Sequence, residues 1–190
     1  MLALLNSKPI KVLAMAGLCV GLTTACKTNQ GWQKDIEVDI QETSIMFPDE
    51  LMKLKGFKIK SAKIKEDGSF RREVVNFTGG YFSYDRYFLG GMLAVSPHSF
   101  RKMLDKYYKD FTIDGDVTKT SAAIGDIYYA TLHGKGLTCI VMSGNYGTSM
   151  MLRSGPGYPG QTDGEYCEKG TVAGLTEKAL MWMKRIRLRS

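Results

Sequence analysis

Ile127-Tyr-Tyr-Ala-Thr-Leu132, His133-Gly-Lys-Gly136 and Leu137-Thr-Cys-Ile-Val-Met142 follow one another without a gap in the second half of the chain. The outer two segments are apolar at most positions and rich in β-branched and aromatic residues, which is typical of strands covered on both faces. The four residues between them contain two glycines and favour a tight turn. We therefore predict a central β-hairpin that is apolar on both faces and forms the core of the fold.

Further strand patterns lie on the N-terminal side of this hairpin. Residues 35–41 alternate strictly between polar and apolar side chains, which predicts a half-buried strand. Residues 57–65 alternate in the same way but slip phase at Ser61-Ala62, where we expect a β-bulge. Asp67-Gly68 predicts a hairpin turn into a strand that begins near Phe70. Two more β-like segments cover residues 74–77 and 81–89.

Two amphipathic helices are predicted, over about residues 96–111 and 176–187. Ser96 is suited to the N-cap of the first helix and Pro97 to its first position. The apolar positions of the first helix are Phe100, Met103, Leu104, Tyr107, Tyr108 and Phe111, and those of the second are Ala179, Trp182, Met183 and Ile186. Runs of strands with two separated helices predict an α+β fold, in which residues 35–190 form a single domain. We expect a mostly antiparallel sheet covered on one face.

The first 25 residues have the composition of an export signal. They carry Lys8 and Lys11, an apolar run over residues 12–22, and the small residues Thr-Thr-Ala before Cys26. The apolar run is about half of the roughly 20 residues that a transmembrane helix needs. We therefore predict a signal peptide over residues 1–25 and an exported chain that begins at Cys26.

Leu22-Thr-Thr-Ala-Cys26 resembles the lipobox of bacterial lipoproteins, in which the cysteine becomes the lipidated first residue of the mature chain. The family usually has its bulky aliphatic residue three positions before the cysteine, where this chain has Thr23. An ordinary signal peptidase would cut the same bond and leave a secreted protein. Lys27 follows the cysteine instead of the aspartate of inner-membrane retention, so the resemblance implies the outer membrane, facing the periplasm. It also implies a lipidated tether over residues 26–34.

Cysteine counting favours the lipidated form. The exported chain keeps Cys26, Cys139 and Cys167 in a compartment that oxidises thiols. Acylation of Cys26 leaves one pair, and a disulfide between Cys139 and Cys167 closes a loop of about 28 residues, worth about 3 to 4 kcal/mol on the chain-entropy model. The alternative is a nucleophilic Cys139, but such cysteines usually begin a helix beside a histidine, and Cys139 lies in a predicted strand. The spacing from Cys139 to Gly164-Glu-Tyr-Cys167 resembles exported proteins of uncharacterised families in alphaproteobacteria, and this resemblance implies no activity.

Two surfaces are candidates for binding a partner. The first is the lysine run of Lys58, Lys60, Lys63 and Lys65. The net charge falls from +7 to +5 when Lys8 and Lys11 are removed with the signal, and such a basic surface suits anionic lipid headgroups or envelope polymers rather than nucleic acid, which is a poor partner in the periplasm. The alternative is a solvated strand face opposite Asp35, Glu37 and Asp39. The second surface is the Gly- and Pro-rich stretch 154–160 with Tyr158, which we expect to be an irregular recognition loop.

Motifs for catalysis are weak in this chain. His98 and His133 lie in different predicted elements, so we expect surface and turn roles for them and neither a metal site nor a cofactor. Two well-placed carboxylates are enough to cleave a glycan; those that the sequence leaves open for this role are Glu66, Asp67, Asp85, Asp163 and Glu165. The sequence therefore favours a non-catalytic periplasmic domain that binds an envelope component or a protein partner. The alternative is an envelope glycan or peptidoglycan hydrolase.

Replacing the predicted acylation site tests the lipobox prediction. In cells fed a fatty-acid analogue, we expect the chain to be labelled and the Cys26→Ser variant to lose the label, because the thiol that accepts the acyl chain is gone. Cys19→Ser is the matched control and keeps the label, since Cys19 lies in the removed segment. A Cys26→Ser protein that is still labelled contradicts the prediction.

Overall fold

An eight-stranded antiparallel sheet organises the chain in this computed structural model, which describes residues 35–53, 56–153, 155–170 and 173–189. The predicted signal peptide, Cys26 and the rest of the predicted tether lie outside the described residues. The strands of the described segments are β1 (Ile36–Val38), β2 (Ile45–Met46), β3 (Ile59–Asp67), β4 (Phe70–Phe77), β5 (Gly80–Tyr87), β6 (Met92–Leu93), β7 (Thr112–Ala122), β8 (Gly125–Gly134), β9 (Leu137–Tyr146), β10 (Met150–Leu152), β11 (Gly155–Tyr158), β12 (Gly160–Lys169) and β13 (Arg187–Leu188).

The helices of the described segments are α1 (Asp49–Met52), α2 (Pro97–Tyr107) and α3 (Leu175–Met183). Within those segments no helix combines the length and apolar character needed to cross a bilayer. The large sheet has the order β1-β3-β4-β5-β12-β9-β8-β7, and two small sheets have the orders β10-β11-β6 and β13-β2. The structure is therefore compatible with the predicted α+β class, with strands as its main content.

The predicted central hairpin is confirmed as β8 and β9. Its turn consists of Lys135 and Gly136, whose φ angles of 52° and 71° are both positive, as the two-residue turns that suit twisted hairpins require. Side chains alternate between two hydrophobic clusters: Ile140 and Met142 of β9 lie in one, and Cys139 and Val141 lie in the other. The hairpin is therefore apolar on both faces, as its composition predicts.

Helices cover opposite faces of the large sheet. Trp182 and Met183 of α3 pack in the first cluster, while Phe100 and Leu104 of α2 pack in the second. The expectation that the sheet is covered on one face is therefore wrong. The reason lies in the hairpin itself, because strands that are apolar on both faces leave one face in water unless each is covered.

The start of α2 is confirmed and its predicted end is corrected. Ser96 is the N-cap, its Oγ accepts a hydrogen bond from the Ser99 amide at 3.1 Å, and Pro97 is the first helical residue. The helix ends at Tyr107 rather than at residue 111, because Tyr108 adopts φ −115° and ψ 43°. The Tyr107 side chain is 66% exposed, although its spacing groups it with the apolar positions of the helix.

The four predicted core positions of the C-terminal helix are confirmed, but the helix is shorter than predicted. Ala179, Trp182, Met183 and Ile186 are all buried. The helix ends at Met183, and Arg187–Leu188 form β13 on β2 instead of a last helical turn. The strand pairing keeps Ile186 buried and gives the backbone of residues 187–188 partners that a helix end would lack.

Two other segments differ from their predictions. The strand predicted over residues 35–41 stops at Val38, because Asp39 caps a 3₁₀ turn over Ile40–Glu42. The stretch 154–160 is not an irregular loop, since Gly155–Tyr158 form the middle strand of the β10-β11-β6 sheet. Pro156 fits there because its carbonyl accepts a hydrogen bond from the Ala94 amide at 2.9 Å, which needs no amide hydrogen on the proline.

Removing the indole of Trp182, which packs in the hydrophobic cluster covered by α3, tests how much this packing contributes to stability. Trp182 is 3% exposed and its ring meets that of Phe77 edge-on, at 5.4 Å between centroids. We expect Trp182→Ala to lower the free energy of unfolding by about 3 to 5 kcal/mol, as measured by urea denaturation. The neighbouring Met181 is 49% exposed, so Met181→Ala is the matched control and is expected to change stability little. Equal reductions in both variants would contradict the assignment.

Candidate functional site

The face of the large sheet that α2 covers is apolar in one half and polar in the other. Phe100 and Leu104 pack on the apolar half, against residues of β8 and β9. Asn145 at the end of β9 fixes the chain just before α2, since its Oδ1 accepts from the Val95 amide at 2.8 Å and its Nδ2 donates to the Val95 carbonyl at 3.3 Å. Beyond β9, the same face continues as a polar surface across β12, β5, β4 and β3.

Strand register places the polar side chains of this surface in rows, because residues directly opposite one another share a face. Three rows run from β3 to β9: Lys65, Arg72, Asp85, Gln161 and Asn145; Lys63, Val74, Ser83, Asp163 and Ser143; Ser61, Asn76, Tyr81, Glu165 and Val141. Asp163 and Glu165 occupy the middle of the surface, on β12. Lysine and arginine side chains occupy the β3 and β4 side.

A cleft of about 540 Å³ lies between this surface and α2. We refer to it as the polar cleft, and its polar lining comprises Arg72, Tyr81, Ser83, Tyr107, Tyr108, Asp163 and Glu165. Met103 and Val74 add apolar contacts at its sides. Aromatic rings, both signs of charge and hydroxyl groups therefore converge on one concavity, and convergent polar groups in a pocket mark a candidate binding site.

Asp163 lies in the polar cleft with its carboxylate held by neighbours. Gln161 Nε2 lies 3.3 Å from its Oδ1 and 3.4 Å from its Oδ2. Burial raises the pKa of this carboxyl, and the hydrogen bonds from Ser143 and Gln161 offset only part of that effect. A carboxyl whose protonated form is favoured by its surroundings can act as a hydrogen-bond donor or as an acid.

Glu165 lies beside two tyrosines, Tyr81 directly opposite it on β5 and Tyr108 after α2. Its Oε2 accepts a hydrogen bond from the Tyr108 hydroxyl. Burial raises the pKa of Tyr81 to about 12, and burial together with the Glu165 hydrogen bond raises the pKa of Tyr108 further. Both phenols therefore stay protonated at neutral pH and supply hydroxyl groups to the cleft.

Arg72 and Asp85 form a bidentate ion pair at the edge of the cleft. Arg72 Nε lies 2.7 Å from Asp85 Oδ1, and Nη2 lies 2.5 Å from Oδ2. This hydrogen bonding raises the pKa of Arg72. Asp85 is buried while about half of the arginine side chain is exposed, so the guanidinium is fixed in place and still reaches the cleft.

The disulfide predicted between Cys139 and Cys167 is at bonding distance, with the two Sγ atoms 2.09 Å apart. The two residues lie directly opposite each other on β9 and β12. Glu165 Oε1 is 3.2 Å from Cys167 Sγ, and ligand atoms of these three residues lie within 4.8 Å of one another. With the sulfurs joined, neither is a thiolate, so this group offers a metal only one carboxylate.

His133 has partners that its sequence context does not reveal. Its Nδ1 is 3.1 Å from Thr138 Oγ1 and its Nε2 is 3.4 Å from Asp114 Oδ2. This order of hydroxyl, imidazole and carboxylate resembles a nucleophile relay, but Thr138 is 2% exposed and its hydroxyl donates to the Gly170 carbonyl at 2.6 Å. The arrangement therefore ties β8 and β9 to the chain after β12. His98 is exposed in the first turn of α2.

The structure separates the predicted partner-binding residues. Lys63 and Lys65 share the polar face of the cleft, and Lys63 lies directly opposite Glu37, one of the acids considered as its partner. Lys58 and Lys60 are exposed near the β3 bulge, where the register shifts between Ile59 and Ser61. Tyr158 lies in the small β10-β11-β6 sheet instead.

Three of the five carboxylates left open by the sequence come together at the polar face: Asp85, Asp163 and Glu165. Glu66 pairs with Arg71 at 2.8 Å, and Asp67 accepts from the Ser69 amide at 2.9 Å in the β3–β4 turn. The role of the tyrosines is not visible in the sequence, because helical spacing assigns Tyr107 and Tyr108 to packing and strand composition does the same for Tyr81. The alternation of Gln161, Asp163 and Glu165 is the local signal that points to this face, since it puts polar groups on one side of a strand.

Comparison of the chain with protein-family models, with curated proteins and with solved structures found no match.

The raised pKa of Asp163 predicts a pH-dependent stability change. The folded state holds this proton more tightly than the unfolded state, so stability falls as pH rises from the ordinary carboxyl value of about 3.9 through the raised value. We expect Asp163→Asn to raise the free energy of unfolding at about pH 7, and the gain to shrink below about pH 4, where both proteins are uncharged at this position. Urea denaturation of both proteins at the two pH values measures this difference in the free energy of unfolding.

Asp126→Asn is the control of opposite sign, because hydrogen bonds from Lys119 and Ser121 lower the pKa of Asp126. That variant is expected to gain no stability at neutral pH. A decrease in stability of equal size at both pH values for Asp163→Asn would contradict the assignment.

Proposed function

We propose that the protein is a lipoprotein of the bacterial cell envelope, anchored by acylated Cys26, whose folded part binds a cell-wall polymer through the polar cleft. The observation that carries the binding proposal is the convergence of Tyr81, Tyr107, Asp163 and Glu165 with Arg72 on one concavity. The lipobox-like stretch before Cys26 supports the anchor, and the outer membrane, facing the periplasm, is the proposed location.

The chemistry of the cleft suits a polymer that carries sugars, amines and carboxylates together. Exposed tyrosine rings such as Tyr107 offer apolar faces to sugar rings, and their hydroxyls bond to sugar hydroxyls. Asp163 and Glu165 suit amines and hydroxyls, while Arg72 and Lys63 suit carboxylates. Peptidoglycan carries all of these groups, whereas the acids at the centre of the face disfavour a purely anionic polymer such as nucleic acid.

A second function has one observation in its favour. Asp163 has a raised pKa and lies two residues from Glu165, so both carboxyls project from the same face of β12. Inverting glycosidases use two carboxyl groups, one as the acid and one as the base. The alternative function is therefore hydrolysis of an envelope glycan, with Asp163 as the acid and Glu165 as the base.

Co-sedimentation with purified peptidoglycan sacculi tests the binding proposal. We expect the Cys26→Ser chain, which lacks the acyl anchor, to bind sacculi, and Tyr107→Ala to bind about five- to tenfold more weakly because the substitution removes an aromatic ring from the cleft. Lys102→Ala is the matched control, since Lys102 is exposed on the same helix but does not line the cleft, and it is expected to bind normally.

The same assay separates the two functions. Release of soluble glycan fragments by the Cys26→Ser chain, abolished by Asp163→Asn, would establish hydrolysis in place of simple binding. Sedimentation that does not depend on sacculi, or equal binding of Tyr107→Ala and Lys102→Ala, would overturn the assignment of the cleft.

A further inference from the structure

Large apolar side chains are exposed together at one end of the molecule. Among the described residues, nine large hydrophobic side chains are prominently exposed, and five of them lie in two neighbouring segments: Phe88 at 43%, Leu89 at 78%, Met92 at 37%, Leu93 at 51% and Met151 at 84%. The segments are residues 86–95 and 146–160, which contain β6, β10 and β11. We call their described residues the apolar tip. By register, Met92 and Met151 share one face of the β10-β11-β6 sheet and Leu93 lies on the other. Exposed apolar side chains gathered in neighbouring segments are typical of a docking surface.

The charge of the two segments indicates what docks there. Their charged residues are Arg86 and Arg153, and neither segment contains an Asp or a Glu. Both arginines are exposed, and the Arg86 guanidinium lies over the Phe88 ring at 5.5 Å from its centroid. Apolar side chains with flanking arginines and aromatic rings are the composition of surfaces that enter the boundary between lipid headgroups and acyl chains.

The position of the tip agrees with this occupant. β5 ends at Tyr87 and β12 begins at Gly160, so both segments leave the large sheet at the same end. β1 is antiparallel to β3, and Ile36 pairs with Ile64, so the chain enters β1 from the side of Asp67, which is that same end. The start of β1 and the apolar tip therefore lie at the same end of the large sheet.

From these features we infer that the apolar tip inserts into the surface of an anionic lipid bilayer, with Leu89 and Met151 reaching into the acyl region and Arg86 and Arg153 at the phosphates. The insertion orients the folded part on the membrane and leaves the polar face free. It does not depend on acylation of Cys26 or on what the polar cleft binds, because none of these four side chains lines the cleft.

Depth-sensitive fluorescence tests the inference with a reporter in the tip. The full chain carrying Cys26→Ser and Leu89→Trp is mixed with phosphatidylglycerol vesicles whose acyl chains are brominated, and the signal of the native Trp32 and Trp182 is subtracted with the parent chain. We expect the added tryptophan to be quenched. Met181→Trp is the matched control, at an apolar residue that is 49% exposed on α3, and is expected to stay unquenched.

Further experiments test the contribution of charge and the specificity of the insertion separately. We expect the Arg86→Gln and Arg153→Gln double variant to partition into phosphatidylglycerol vesicles more weakly, by about fivefold for each arginine whose attraction to phosphate is removed. Replacing phosphatidylglycerol by phosphatidylcholine is expected to weaken the partition of the parent chain to the same extent. Equal quenching at positions 89 and 181, as the apolar run of the leader would cause, overturns the inference. So does a shift in Leu89→Trp emission that depends on protein concentration without vesicles, because it would mean that a second copy covers the tip. Acyl labelling at Cys26 and sacculus binding are measured separately, so their failure is distinguishable from failure here.

Discussion

The placement of β12 between β5 and β9 is the constraint on which the rest of the structure depends. β12 pairs with β9 over its whole length and with β5 over seven positions, and the bond between Cys139 and Cys167 fixes its register. Because side chains alternate along a strand, a slip of one residue would turn Asp163 and Glu165 to the opposite face. The polar cleft exists only in this register. Gly80 lets β5 and β12 approach closely, because a Cβ there would lie 1.9 Å from the Glu165 carbonyl oxygen.

The sequence predicts the local elements better than their arrangement. The β8–β9 hairpin, the cap of α2 at Ser96 and the core residues of α3 follow from turn chemistry and periodicity, which act over a few residues. The two-sided cover of the sheet could have been deduced from the hairpin's two apolar faces. The end of α3 and the strand Arg187–Leu188 could not, because they depend on pairing with Ile45–Met46 at the other end of the chain. The same holds for Gly155–Tyr158, which is a strand because of its neighbours.

The polar cleft was predictable only in fragments. Asp85, Asp163 and Glu165 are visible as carboxylates, and Lys63 and Lys65 as a basic run, but nothing local indicates that these residues of three different strands share one face. That fact rests on four strand pairings between residues far apart in the chain. The desolvation that raises the pKa of Asp163 is likewise a property of the assembled face. Functional sites often contain a group that lowers the stability of the protein, and the rest of the fold compensates for that cost.

The late arrival of β12 in the chain has a consequence for folding order. Until residues 160–169 are in place, β5 and β9 are the unpaired edges of two separate units, β1-β3-β4-β5 and β7-β8-β9. Open edges of this length are templates for pairing with other chains, and contacts between distant residues form slowly. The molecule is therefore most prone to aggregate just before residues 160–169 are incorporated. A chain interrupted before Gly160 would leave both edges open, whereas one interrupted after Lys169 could already complete the large sheet.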